Sequence, residues 1–152
     1  MAYNLQDVIN WFLAKDAMSP KKLQKILYYA YAWNLTIKND SVDELNDKLF
    51  DATFEAWVHG PVIDEVYHQY KDKGYNNIPR YTGNTIEFDE DTEDVLEQVW
   101  QEYGSYTGNQ LENITHQEDP WITARQGYLP LDRCNEPITD ESIYNYYIQQ
   151  MG

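Results

Sequence analysis

Apolar residues recur at helical spacing over most of the chain. Asn4 is a natural N-cap, with Asp7 in the turn after it. Leu5, Val8, Ile9, Phe12 and Leu13 then follow three and four residues apart, which predicts a helix ending near Lys15–Asp16. Ser19-Pro20 is a stronger start, with serine at the N-cap and proline at the first helical position, where its missing N–H costs nothing. Leu23, Ile26, Leu27, Ala30 and Ile37 form one stripe behind it, with Tyr28, Tyr29, Tyr31 and Trp33 spread around the other faces. A helix that is apolar on most of its faces belongs at the centre of a domain.

The middle of the chain is less regular. Asn39 to Asp47 is polar and reads as a loop, and Thr53 to Trp57 mixes aromatic and β-favouring residues. Gly60-Pro61 is read as the start of another helix, with Asp64 and Glu65 in its first turn and Val62, Val66, Tyr67 and Tyr70 on its buried side. Gly74 to Gly83 is loop. Thr85 to Asp89 alternates and is expected to pair as a strand with the segment before Trp57. Asp91 or Thr92 caps a helix whose apolar face is Val95, Leu96, Val99, Trp100 and Tyr103, and Gly104 ends it. Thr107 and Gln110 fit a capping box for a short helix carrying Leu111 and Ile114. Asp119-Pro120 starts another helix. Gly127 to Pro137 is loop, and Thr139 or Asp140 opens a last helix with Ile143, Tyr144, Tyr147, Ile148 and Met151. The expected fold is mainly α: a compact bundle of about five to seven helices with a short two-stranded β element around 53–57 and 85–89. With no repeat and no long linker, 152 residues fit one domain, 1–152, its C-terminal helix at about 139–151.

Charge changes this picture. The net charge is −15, and it is uneven: residues 1–80 carry 9 Lys and Arg against 11 Asp and Glu, and residues 81–152 carry 2 against 15. The second half therefore disfavours nucleic acid, whose phosphates need cations, and would attract a basic partner. Lys15, Lys21, Lys22 and Lys25 make the one basic cluster, read as a surface that pairs with the acidic half or contacts a partner. Fourteen Tyr, five Trp and four Phe argue for a packed aromatic core rather than disorder. Nothing approaches a membrane span or a signal peptide, and a single cysteine, Cys134, excludes a disulfide framework, so the expected location is cytoplasmic.

Candidate chemistry is sparse. His59, His68 and His116 show no metal-site spacing, and no phosphate loop or nucleophile motif occurs. His116 with Glu118 or Asp119 could serve a small hydrolase or transferase if the groups lined a cleft; helix ending and capping explain them equally well. Trp11, Trp33, Trp57, Trp100 and Trp121 fall in or near apolar stripes and read as core.

The blocks that remain carry a resemblance. Met18 to Ala30 (Met-Ser-Pro-Lys-Lys-Leu-Gln-Lys-Ile-Leu-Tyr-Tyr-Ala), Leu49-Phe50, Phe54 to Ile63 (Phe-Glu-Ala-Trp-Val-His-Gly-Pro-Val-Ile) with Glu65 to Tyr67, and Leu111 to Ala124 stand in the order of the Panacea antitoxin domain family, the phage-associated GepA/SocA-like proteins. In the last block Thr115-His116, Glu118 and Pro120-Trp121 resemble the family's Thr-His-x-Glu and Pro-Trp pattern. The resemblance covers about residues 5–125. Ser19, Pro20 and Lys21-Lys22 depart from the family's usual hydrophobic-Thr-x-Leu start.

The resemblance implies a small helical domain that acts by protein–protein contact. Family members are antitoxins of toxin–antitoxin systems, many in prophages, that neutralise protein toxins encoded beside them; a related member is an adaptor that delivers its toxin to a cytoplasmic AAA+ protease. Some members add a helix-turn-helix domain, for which this chain has no room, so no direct nucleic-acid binding is expected. No catalytic residue, metal ligand or cofactor is implied, and the chain is expected not to be an enzyme. The positions singled out for partner contact or family signature are Lys22, Lys25, Trp57, His59, Gly60, Pro61, Thr115, His116, Glu118, Pro120 and Trp121. The expected function is neutralisation of a cognate toxin by direct binding. The alternatives are a proteolytic adaptor, a phage- or prophage-encoded acidic inhibitor, and a small hydrolase using His116.

Overall fold

Helix α2 (Pro20–Lys38) runs through the middle of the molecule, and α1 (Leu5–Lys15), α3 (Asp64–Tyr70), α4 (Glu90–Tyr103), α5 (Gly108–Thr115) and α7 (Asp140–Gln150) all pack against it. Helix α6 (Asp119–Ala124) lies against α7, and a single 3-10 turn, Lys71–Lys73, extends α3. The computed structural model describes residues 2–151, and among them seven α-helices and one two-stranded antiparallel sheet make a mainly α fold. No helix among the described residues is long and apolar enough to cross a membrane.

The local signals act as their chemistry dictates. Asn4 caps α1 by accepting from the Gln6 N–H, Ser19 caps α2 through Lys22 N, and Thr139 caps α7 through Ser142 N. The Thr107–Gln110 capping box forms in both directions, at 3.1 and 2.8 Å. Helix α4 starts earlier than expected: Asp89, not Asp91 or Thr92, accepts from the Thr92 N–H at 3.1 Å, and the Tyr3 hydroxyl also donates to Asp89. The N-cap of α6 is Glu118 rather than Asp119, with Pro120 still in its first turn.

Leu23, Ile26, Leu27 and Ala30 are fully buried, as the stripe requires, but Ile37 at its end is 45% exposed. Helix α2 is buried on its other faces too, which brings polar side chains inside. Gln24 spans both backbone groups of Ile63, donating to its carbonyl and accepting from its N–H at 3.0 Å each. Tyr28, Tyr29 and Tyr31 meet Phe50, Phe54, Tyr103 and Tyr147 in one aromatic cluster; Tyr29 and Tyr103 stack at 4.0 Å. Their hydroxyls need partners, and the acidic half supplies them: Tyr29 and Tyr147 donate to Glu118 at 2.9 and 2.7 Å, and Tyr31 donates to Asp140 at 2.7 Å. The lysines draw on the same source, as Lys15–Glu97, Lys21–Glu112, Lys38–Asp89 and Lys48–Asp140. Five of the fifteen carboxylates of residues 81–152, Asp89, Glu97, Glu112, Glu118 and Asp140, are thereby used within the fold.

The β element differs from the expectation in its partner. Strand β1 (Glu55–Trp57) pairs with β2 (Gly60–Val62) in a hairpin, with Trp57 opposite Gly60 and Val58-His59 at the turn. Gly60-Pro61 thus continues a strand, and the helix begins at Asp64. Gly60 has φ +111°, open to glycine and rarely to other residues, and a partner three residues away closes at small entropic cost. Residues 85–89 form no strand: Phe88 turns inward against Tyr3, and Asp89 is spent as a cap. The outer edge of β1 is met by residues 136–138, through Ala56 N to Glu136 O at 2.9 Å and Ile138 N to Phe54 O at 2.7 Å. Of the side chains expected inside α3, Val66 is buried but Tyr67 is 45% exposed, and on α7 Ile148 and Met151 are also exposed.

Candidate functional site

The hairpin rests on α2 and α5, and the signature residues make its bed. Gly60 lies over Lys25: a Cβ on Gly60 would stand 2.6 Å from Lys25 Cε and 3.0 Å from Thr115 Oγ1. Lys25 is 1% exposed and is not part of a basic surface; it donates to the Pro61 carbonyl at 3.4 Å. Burial lowers its pKa from 10.5 to about 7, against the pull of Glu112. Thr115 Oγ1 donates to the Glu112 carbonyl at 2.8 Å. Burial would raise the Glu112 carboxyl, but bonds from Lys21 and His59 outweigh it and hold it below the usual carboxylate range.

Lys25 has a consequence for pH dependence. Folded, it releases its proton near pH 7; unfolded, near 10.5. Between these values the unfolded chain binds the extra proton, so stability rises with pH across that window. Lys25→Met removes the titrating group. Urea unfolding at pH 7 and pH 9 is expected to show the native protein gaining stability and the variant lacking that gain; an equal gain in both would refute the assignment.

The second bed is α6. Trp121 Nε1 donates to the Trp57 carbonyl at 2.8 Å, and Arg125 Nη1 donates to the neighbouring Ala56 carbonyl at 2.8 Å. Arg125 also reaches the carbonyls of Leu129, Pro130 and Asp132, at 3.1, 3.4 and 2.7 Å, and so ties the loop after α6 to β1. His116 stacks on Trp121 at 4.0 Å, and burial lowers its pKa. Its Nε2 is buried without a hydrogen-bond partner. Glu118 is directed to Tyr29 and Tyr147 and makes no hydrogen bond to His116; burial raises its pKa. Lys22 Nζ donates to the Gly104 carbonyl at 2.5 Å, and Pro61 and Pro120 are buried.

Most of the eleven singled-out residues are therefore supports. Trp57 and His59 reach the surface. His59 stands on the turn with Nδ1 3.2 Å from Glu112, and Trp57 packs its ring edge-on against Tyr67 at 5.0 Å. Beside them opens a cleft of about 210 Å³ lined by Trp57, Val58, His59, Val62, Leu131, Arg133, Cys134 and Asn135. Leu131 is 86% exposed and Leu129 69% exposed. Leu131, held in the open across the cleft from Trp57, and Tyr67, packed against the same indole, form an apolar surface of the kind that anchors protein partners. The sequence reading left Arg125, Leu129 and Leu131 out. The available signals were a lone arginine in an acidic stretch and two leucines inside a Gly/Pro-bounded loop. His68 lies apart, with Asp64 on α3, and the described residues hold no group of three or more His, Cys, Asp or Glu placed for a metal.

No curated protein matches the chain, and no solved structure matches it. The family model described as "Antitoxin SocA-like, Panacea domain" matches residues 23–122, a span that takes in α2, the hairpin, α5 and the Pro120-Trp121 pair. Two thirds of the chain thus fit that family, with the β1–β2 hairpin and most of its supports inside the span and Arg125 and the exposed leucines outside it; the chain belongs to the SocA-like, Panacea-domain family.

Proposed function

We propose that this protein is an antitoxin that neutralises a cognate protein toxin by direct contact in the cytoplasm, without chemistry of its own. The carrying observation is the surface at the hairpin: half-buried Trp57 and exposed Leu131 line a cleft, exposed Tyr67 packs against Trp57, and the residues beneath them are spent on holding it. A partner that inserts an apolar side chain beside Trp57 gains the area that Leu131 and Tyr67 now expose to water.

Co-expression with the neighbouring open reading frame tests this reading. The neighbour is expected to arrest growth alone and to be tolerated when this protein is present. A harmless neighbour, or one that kills equally in both cases, defeats the proposal. Leu131→Asp places a charge in the contact and changes a side chain that is 86% exposed, so stability should move by less than about 0.5 kcal/mol while protection is lost. Full protection by the variant would move the contact elsewhere. A toxin half-life that shortens only when an AAA+ protease is also present would identify delivery for degradation as the route.

A further inference from the structure

A second groove, of about 510 Å³, lies between the C-terminal half of α2, α4 and the end of α7, and it shares no residue with the cleft at the hairpin. Its apolar parts are Trp33, Ile37, Val95, Val99 and Met151, of which Ile37 is 45% and Met151 51% exposed. An amphipathic surface of this size left open in water calls for a cover, and the charge around it says which kind.

Helix α4 carries six carboxylates and no Lys, Arg or His. Within α4, Glu97 pairs with Lys15 and Glu93 accepts from the Trp11 indole. Glu90, Asp91, Asp94 and Glu102 have no hydrogen-bond or ion-pair partner among the described residues. Asp91, Gln98 and Glu102 are seven and four residues apart, so they share one stripe, while Asp94 lies on its far side, toward Phe88 and Glu90. Val95 and Val99 flank the same stripe on the groove side. The wall is thus an apolar floor edged by unpaired negative charge over about three helical turns.

We infer that this groove is a docking site for a basic amphipathic helix of a protein partner, with apolar side chains on Ile37 and Met151 and lysines or arginines facing Asp91 and Glu102. A nucleic acid is repelled by the same carboxylates. A second copy of this chain would bring two such rims together, because a two-fold contact pairs like with like. A cationic helix is the occupant that satisfies both the floor and the rim. The inference goes beyond the antitoxin reading and stands at a different surface.

The test uses two synthetic 14-residue peptides of equal positive charge, one alternating leucine and lysine at helical spacing and one with serine in place of leucine. Titrated into ¹⁵N-labelled protein, the leucine peptide is expected to saturate and to shift amides at Ile37, Val95, Val99 and Met151; the serine peptide is expected to bind at least about tenfold more weakly. Ile37→Asp separates groove from charge. It adds negative charge, so attraction by charge alone would tighten binding, whereas docking in the groove weakens it about tenfold. Glu102→Lys is expected to weaken it as well, and Leu131→Asp to leave it unchanged. Equal binding of the two peptides, unweakened binding to Ile37→Asp, shifts centred elsewhere, or a dimer formed through this face would each overturn the inference.

Discussion

Gly60→Ala is expected to lower the unfolding free energy by about 3–5 kcal/mol and the melting temperature by about 10 °C or more. Two costs combine at this position. At φ +111° an L side chain is strained by about 1–3 kcal/mol whatever the space around it. The new Cβ would also stand 2.6 Å from Lys25 Cε, where no side chain can remain. Lys25 cannot swing into solvent at small cost, because it is 1% exposed and walled in by α5 and the hairpin. Overpacking of this kind adds about 1–3 kcal/mol. The double variant Gly60→Ala with Lys25→Ala separates the two costs: it relieves the collision and leaves the backbone strain. Thermal unfolding of the single and double variants reads both. If Gly60→Ala costs as much in a Lys25→Ala background as in the native protein, the hairpin does not sit on Lys25.

Arg125→Met is expected to cost about 3 kcal/mol and to release the loop from Gly127 to Pro137. The guanidinium is 6% exposed and is satisfied by four carbonyl oxygens, without a carboxylate among its hydrogen-bond partners. It also lies 5.2 Å from the centre of the Trp121 ring. Methionine fills a similar volume but donates nothing, so the buried Ala56 carbonyl and three part-buried loop carbonyls lose a charged donor, for a combined cost of about 3 kcal/mol. The local readout is hydrogen exchange. The Leu129 and Asp132 amides should exchange markedly faster, while amides in α2 change only as much as global stability does. Loss of toxin protection should follow even though Leu131 is intact, because the loop that presents it is no longer tied to β1. Arg125→Lys, with one compact cation in place of a fork, is expected to restore only part of the protection.

These two residues show where the sequence was readable. Helix starts are local chemistry, so Ser19-Pro20, the Thr107–Gln110 box and Thr139 could be read directly from neighbouring residues. Gly60-Pro61 was misread because Gly-Pro opens helices as readily as it bends strands; what decides is the pairing with Trp57 and the close approach to Lys25, both tertiary. The alternation over 85–89 was real, but residues 136–138 reached the edge of β1 instead. Lys25 was grouped with Lys15, Lys21 and Lys22 by proximity in sequence. On the helix it faces inward, and the glycine opposite is its structural complement. Arg125 stands out only as a rare cation in an acidic stretch, since its four acceptors are backbone carbonyls, which sequence does not mark. Gly60, Thr115, Pro120 and Trp121 of the family pattern lie in or under the hairpin, and the exposed leucines of the following loop lie outside the matched span.

The packing of α7 on α2 sets a timetable for synthesis. Helix α2 ends at Lys38, and the helix that covers one of its sides begins at Asp140. At 5–20 residues per second, the ribosome exposes α2 for on the order of ten seconds before its cover emerges. During that interval Tyr28, Tyr29 and Tyr31 lack Tyr147 and the carboxylates that take their hydroxyl protons in hydrogen bonds. An incomplete chain is therefore a sticky, unfinished core open to chaperones and proteases, and the fold closes only when translation of the last helix is done.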